Sequence, residues 1–184
     1  SLIISHNELF AAPYYEGKMI TIIVGFNPGG GYDRLSRIIA KHFSKHIPGK
    51  PKIVIQNIVG AGSMVAANQL FNLTKPDGLT IGNFNRGLPF AQLLKAPGVN
   101  FDLRKFAWIG SANSESAVLA LRADLPFKTL NDILKSKTPL NIASSGGPSD
   151  SATQFTLLLK EFVKIPTNLV NYDGSPEASL AIEQ

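Results

Sequence analysis

Cysteine is absent from these 184 residues, which excludes disulfides, thiolate metal sites and a cysteine nucleophile. No apolar run approaches the ~20 residues needed to cross a bilayer. Charge is sparse as well, 17% of residues against 44% hydrophobic, the balance of an ordinary globular chain with a real core. Only three histidines occur. His42 and His46 stand at helical i, i+4 spacing but lack an adjacent glutamate and a third ligand, so exposed helix positions are expected and no metal site. His6 lies in a terminal segment, which leaves no histidine to activate a serine in a hydrolase triad. The carboxylates are scattered, with no pair suited to glycosidase chemistry. Nothing here is built for bond-breaking: the reading is a protein that is not an enzyme and needs no cofactor.

The net charge of +5 is local in origin: six basic and no acidic side chains lie between Arg34 and Lys52. Arg37, Lys41 and Lys45 share one face of the first expected helix, and Leu35, Ile38, Ile39, Phe43 and Ile47 mark the other. Without aromatic interleaving or a binding module this reads as a solvated face, not a nucleic-acid stripe. Residues 1–16 have two short apolar patches but no basic leader and no sustained apolar core. They are set aside as a leader remnant or tag-like segment.

What is present is concentrated in Ile20–Asp33, ITIIVGFNPGGGYD. A nearly unbroken apolar run ends at Asn27-Pro28, three glycines follow, and helical periodicity begins at Tyr32-Asp33. A buried strand thus feeds a backbone-only loop and then a helix N-terminus, an arrangement suited to a small anion held by main-chain N–H groups.

The pattern repeats. Expected strands are Met19–Phe26, Lys52–Asn57 and Leu79–Phe84, alternating with helices from Asp33 to about His46, Ser63 (a plausible N-cap) to about Leu73, and Leu88 to about Leu94. Such alternation implies an α/β fold with parallel-rich sheets flanked by helices, whose ligand edge lies at the C-terminal ends of the strands. Two further strands, Phe106–Ser111 and Ala117–Arg122, are expected next. A capping-box-like Thr129–Asp132 opens a helix ending near Ser136. Strand Leu140–Ser144 then feeds a second serine–glycine loop and a helix from Asp150 to about Lys164, with Leu157, Leu158, Phe162 and Val163 as its apolar face. Strand Asn168–Tyr172 precedes a last helix opened by Ser175-Pro176-Glu177. With no helix terminator at Gln184, the second α/β unit reads as truncated. The expected organisation is a first lobe over 17–112 and an incomplete second lobe over 113–184.

Gly60-Ala61-Gly62 starts like a dinucleotide fingerprint but lacks the third glycine, and the triple-glycine loop lacks the Gly-Lys-Ser/Thr ending of a P-loop. Arg86, directly after the third strand in Asn85-Arg86-Gly87, is placed to grip a carboxylate bidentately, or else is an exposed loop arginine. Ser144, Ser145, Ser149 and Ser151 are either anion donors or turn and cap residues.

FNPGGGYDRLSRIIAKHF, VIQNIVGAGSMVAANQLFN, KPDGLTIGNFN, FDLRKFAWIGS, DLPFKTLNDIL and NYDGSPEASLAIEQ together resemble the Bug family, the substrate-binding proteins of tripartite tricarboxylate transporters. The match runs from Lys18 to the end in the same order. It implies a periplasmic, two-lobed (type II) binding protein that closes on a small carboxylate (a di- or tricarboxylate or an aromatic acid) and delivers it to membrane transporter subunits. The resemblance places the carboxylate between the loops Pro28–Asp33 and Ser144–Ser151. The expected site residues are Phe26, Pro28, Gly29, Gly30, Gly31, Tyr32 and Asp33 at the first loop, with Asn85 and Arg86 taken from their place on the ligand edge. From the second lobe come Ser144, Ser145, Gly146, Ser149 and Tyr172. Two departures stand out. The second-lobe loop carries Gly147-Pro148-Ser149-Asp150 and no histidine, and the loop after the third strand carries an arginine. The alternatives are an α/β nucleotide- or phosphate-binding domain using the same loops, or a sensor module with the same cleft.

Overall fold

The computed structural model describes residues 12–112, 118–144, 147–172 and 174–183. Strand β1 (Met19–Val24) leads to helix α1 (Gly31–Phe43), β2 (Lys52–Asn57), α2 (Met64–Leu73), β3 (Thr80–Asn83) and α3 (Leu88–Leu93). The three strands form one parallel sheet in the order β2-β1-β3, with Thr21 facing Val54 on one side and Thr80 on the other. The central strand is the most apolar, and Ile20, Ile22, Ile23 and Val24 are buried. A strand flanked on both sides by parallel neighbours and covered by helices must be apolar on both faces. Beside it, Met64, Ala67, Leu88, Ala91, Phe101 and Leu103 make one core, against which Phe71, Phe84 and Phe106 pack.

The second lobe contains α4 (Leu130–Lys135), β4 (Leu140–Ser144), α5 (Ser151–Leu158), β5 (Thr167–Asn171) and α6 (Ser175–Glu183). β4 and β5 pair in parallel, Leu140 opposite Thr167. Ile133, Leu140, Leu159 and Ile165 form its core. The capping box at α4 forms in full: Thr129 accepts from the Asp132 amide, and Asp132 accepts from the Thr129 amide.

Several expectations change. Phe106–Ser111 and the described part of Ala117–Arg122 are not strands. An extended segment becomes a strand only when a neighbour takes up its ladder hydrogen bonds, and no described segment pairs with either. Trp108 instead turns its indole N–H to the Leu103 carbonyl at 2.9 Å, while Leu119 and Leu121 lie against the second core. Helix α5 ends early in a π-helical turn, Leu159–Val163, stopped by Lys164 in the left-handed region. Its inward residues are Thr153, Thr156 and Leu159, whereas Leu157, Leu158, Phe162 and Val163 are exposed. The i, i+3, i+6 stripe that meets β4 and β5 is mostly threonine, so hydrophobicity alone points to the wrong face. On α1 likewise, Asp33 and Ser36 are buried while Leu35 and Ile38 are exposed. Arg37, Lys41 and Lys45 lie on the solvated face. Residues 13–16, set aside above, lie against the Pro-Asp-Gly turn: the Tyr14 hydroxyl donates to the Asp77 carbonyl at 2.6 Å.

The three strand-end loops of the first sheet are pinned together by one residue. Ser63 does not cap α2 with its side chain. Its hydroxyl accepts from the Asn85 amide (3.1 Å) and reaches the Gly25 carbonyl (3.5 Å). It is wholly buried. A Cβ at Gly25 would overlap that hydroxyl and press on the Ser63 backbone. Gly25→Ala is therefore expected to destabilise the chain by about 1–3 kcal/mol, read as a lower urea midpoint at unchanged slope.

Candidate functional site

The glycine loop leaves β1 and turns at Gly29, whose φ of +86° demands a residue without Cβ. Added Cβ atoms at Gly29 and Gly31 would meet nothing within 4 Å, so both flank open space. At Gly30 a Cβ would come within 3.4 Å of the Asn27 carbonyl and 3.9 Å of Pro176 Cδ, at the start of α6. Asn27 donates to Glu177 of the same helix at 3.2 Å. The N-terminal ends of α1 and α6, one from each lobe, thus approach each other across this loop. First-turn N–H groups have no intrahelical acceptor.

Asp33 stands behind the loop. It is almost fully buried, and one carboxylate oxygen accepts from the Gly29 amide and from Arg37 Nε, both at 2.8 Å. The other accepts from Asn57 Nδ2 at 3.0 Å, and the same amide group donates to the Phe26 carbonyl at 2.8 Å. Asp33 is therefore a staple of the glycine loop and not a wall of it. The Arg37 bond, with those from Gly29 and Asn57, outweighs desolvation and lowers its pKa from 3.8 to about 2. Asn57 and Arg37 were not among the expected site residues; an asparagine ending β2 beside a glycine loop was the available signal.

Phe26 and Tyr32 stack at 4.6 Å, nearly parallel, and close one side of the loop. The Tyr32 hydroxyl accepts from the Arg86 amide at 3.5 Å. Asn85 is buried and organises the turn after β3: its Oδ1 accepts from the Gly87 amide at 2.9 Å. Arg86 is exposed at the ligand edge, with Nη2 reaching Ser151 Oγ of the second lobe at 3.4 Å.

From the second lobe, Ser144 is buried and its hydroxyl meets Asp150 Oδ2 (2.9 Å) and Thr153 Oγ1 (2.7 Å). Asp150 caps α5 by accepting from the Ala152 and Thr153 amides. That carboxylate oxygen is thus turned toward its own helix. Ser149 is buried, with its hydroxyl on the Ala61 and Gly62 carbonyls of the first lobe. Tyr172 follows β5, and its amide donates to the Ser144 carbonyl at 2.8 Å. Ser145 and Gly146 lie outside the described residues. The structure thus brings Phe26–Tyr32 and Arg86 to one edge, and uses Asp33, Asn85, Ser144 and Ser149 as internal supports. A separate apolar cavity of about 310 Å³, lined by Leu94, Pro148, Leu157 and Leu169, lies beside the interlobe contact. Among the described residues no group of three His, Asp or Glu could hold a metal ion.

Residues 35–181 match the model of the tripartite tricarboxylate transporter family receptor. A UPF0065 protein in the gbd 5' region of Cupriavidus necator is 27% identical over 93% of this chain and 52% of its own length. The chain spans about half the length of the curated relatives it matches. Among solved structures, MatC from Rhodopseudomonas palustris with bound malate has a TM-score of 0.71 at 26% identity, covering 90% of this chain and 56% of that one. A periplasmic transporter has a TM-score of 0.73 at 22% identity, covering 91% and 57%. The fold is that of two-lobed periplasmic binding proteins.

The Asp33 linkage has a definite sign. A carboxylate whose pKa is lowered on folding adds stability above its unfolded value of 3.8, and loses it as pH falls toward about 2. The shift corresponds to about 2.5 kcal/mol at most. Arg37 is 55% exposed, and solvent screening reduces that to about 1–2 kcal/mol. Asp33→Asn should lower stability by that amount at pH 7 and flatten the acid limb between pH 4 and 2, measured by urea unfolding across pH.

Proposed function

Since the chain belongs to the tripartite tricarboxylate transporter receptor family, we propose that it captures a small carboxylate between its lobes. It would serve in the periplasm as the receptor that delivers that ligand to the membrane subunits of the transporter. Residues 17–112 would form the first lobe and 113–184 the second. The observation that carries the reading is the open, glycine-walled loop Pro28–Gly31, set between the N-terminal ends of helices from both lobes, with Arg86 at its rim. Main-chain N–H groups and two helix dipoles favour an anion there, and exclusion of water on closure strengthens each such bond. Malate bound to the related MatC supports a dicarboxylate as the first ligand to test. No step of this task calls for a nucleophile or a general base, in keeping with a receptor and not an enzyme.

Arg86 is the cation of this site. A guanidinium matches a carboxylate in two parallel N–H···O bonds, and from the edge of β3 it faces the second lobe at Ser151. Gly31 and Tyr32 would supply the main-chain donors, with Gly29 and Gly30, whose own amides bond Asp33 and the Asn27 carbonyl, leaving room for the ligand, and Phe26, Pro28 and Tyr172 as walls. A thermal-shift screen with mono-, di- and tricarboxylates, aromatic acids and nucleotides tests the class. A carboxylate at about 100 times its dissociation constant should add roughly 2.7 kcal/mol of stability; stabilisation by nucleotides alone would refute the reading. Arg86→Ala should weaken carboxylate binding by about 1.5–3 kcal/mol in calorimetry, and an unchanged affinity would remove Arg86 from the site.

A further inference from the structure

Away from the glycine loop, the lobes meet along a second seam of backbone and small side chains, beside the apolar cavity that Gly147 and Gln154 help to line. Ala61, Gly62 and Gly87 of the first lobe meet Gly147, Ser149 and Gln154 of the second. The buried Ser149 directs its hydroxyl to the Ala61 and Gly62 carbonyls. Gly147, at φ +80°, backs onto Ala61, where a Cβ would come within 2.8 Å of the carbonyl carbon. A Cβ at Gly87 would overlap the Ser149 carbonyl, although Gly87 has an ordinary φ of −79°. Gln154 Nε2 bridges the two sides, donating to the carbonyls of Gly87 (3.2 Å) and Pro148 (3.0 Å).

The first-lobe side of this seam is strained. Ala61, Gly62 and Ser63 are consecutive left-handed residues, with φ of 47°, 62° and 78°. For Ala61 and Ser63, which carry a Cβ, that conformation is strained. The run turns the carbonyls of Ala61 and Gly62 toward a hydroxyl of the other lobe. Strain held in place at a contact between two bodies is a feature of switch regions. Gly87 adds a steric argument: its backbone angles suit any residue, so only the approach of Ser149 requires glycine there.

We infer that this seam is a closure latch, in which Gly87 and Ser149 are positioning residues that set the population of the closed form without touching the ligand. The role in affinity rests on the receptor reading above; the role in closure does not. When only the closed form binds tightly, apparent affinity falls in proportion to its population. A methyl group at Gly87 would hold the lobes apart by a steric clash. Loss of the Ser149 hydroxyl would remove the bridging bonds and leave the surfaces free to touch.

The lack of cysteine allows a direct test. The whole chain is labelled at two introduced cysteines, Lys45→Cys and Glu161→Cys, both exposed and one on each lobe. Single-molecule energy transfer is then recorded with and without malate. The parent should show a short-distance population that Gly87→Ala abolishes and Ser149→Ala depletes, while the ligand-free unfolding midpoint of Gly87→Ala stays that of the parent. For a ligand that binds the parent, Gly87→Ala should raise the dissociation constant at least about tenfold, mostly through the off-rate. Identical distance distributions in all three proteins would overturn the latch. So would a Gly87→Ala protein that unfolds earlier but keeps the parental distances and affinity, since the seam would then be a fixed packing contact. If malate and other carboxylates bind none of the proteins, the receptor reading fails, and the ligand-free distances still decide the latch.

Discussion

The buried carboxylate of Asp33 is the constraint on which the rest of the site depends. A glycine loop has no side chains with which to fix its own path, so its shape must be imposed from outside. Asp33 does this from the first turn of α1, accepting from the Gly29 amide and from Asn57 at the end of β2. Asn57 extends the restraint by holding the Phe26 carbonyl. One carboxylate thereby ties together the strand end, the loop, the helix start and the neighbouring strand. Its placement at a helix N-terminus is favourable in itself, and Arg37 one turn later offsets the charge from the solvated face. A negative charge set beneath a loop proposed to receive anions has the wrong sign for a direct contact. Its two oxygens are satisfied by donors on the near side, so the loop gains rigidity while its outer face stays open.

The same economy of small polar groups recurs throughout. Ser63 joins three loops of the first lobe, Ser144 joins β4 to the start of α5, and Ser149 joins lobe to lobe. Short hydroxyl side chains fit where strand ends crowd together, and each replaces a contact that a larger side chain would force apart. They also lose little conformational entropy on burial. Ion pairs are used sparingly by comparison: Asp102 with Arg104 and Asp124 with Arg122 are local, exposed pairs, of the kind that contributes little.

Much of this was legible in the sequence where the cause is local. Strand–glycine–helix units announce themselves by apolar runs, Gly and Pro punctuation and caps, and the element positions from β1 to α3 hold to within about three residues. What failed depended on partners far away in sequence. Phe106–Ser111 has strand composition, but composition cannot supply a neighbour. The inward face of α5 is Thr153–Thr156–Leu159 because it meets β4 and β5 there, and no amphipathic pattern reveals it. The glycine loop after β1 follows the expected path, whereas Asp33, Asn85, Ser144 and Ser149 bond the protein to itself. Sequence identifies a polar residue near a ligand edge. Which way its hydrogen bonds run is fixed only when the other loops arrive.

A carboxylate receptor, as proposed for this chain, must hold its lobes close to balance, and the chemistry of the seam suits that demand. Neutral hydrogen bonds are worth only about 0.5–1.5 kcal/mol net. The Ser149 and Gln154 bonds therefore give closure a modest bias, partly offset by the strain at Ala61 and Ser63. An apolar seam would gain ~25 cal/mol for each Å² buried and would trap the lobes shut with or without ligand. Moving a two-state equilibrium from one side to the other takes about 5.5 kcal/mol of differential binding, and a few charge-assisted bonds to a carboxylate are of that size. The glycines at 87 and 147 bring the lobes close enough for those bonds to form, while burying almost no side chain that would resist reopening. Glycine in the loop after β1 and glycine in the seam thus answer two different needs, open space for the proposed ligand in one place and approach of a lobe in the other.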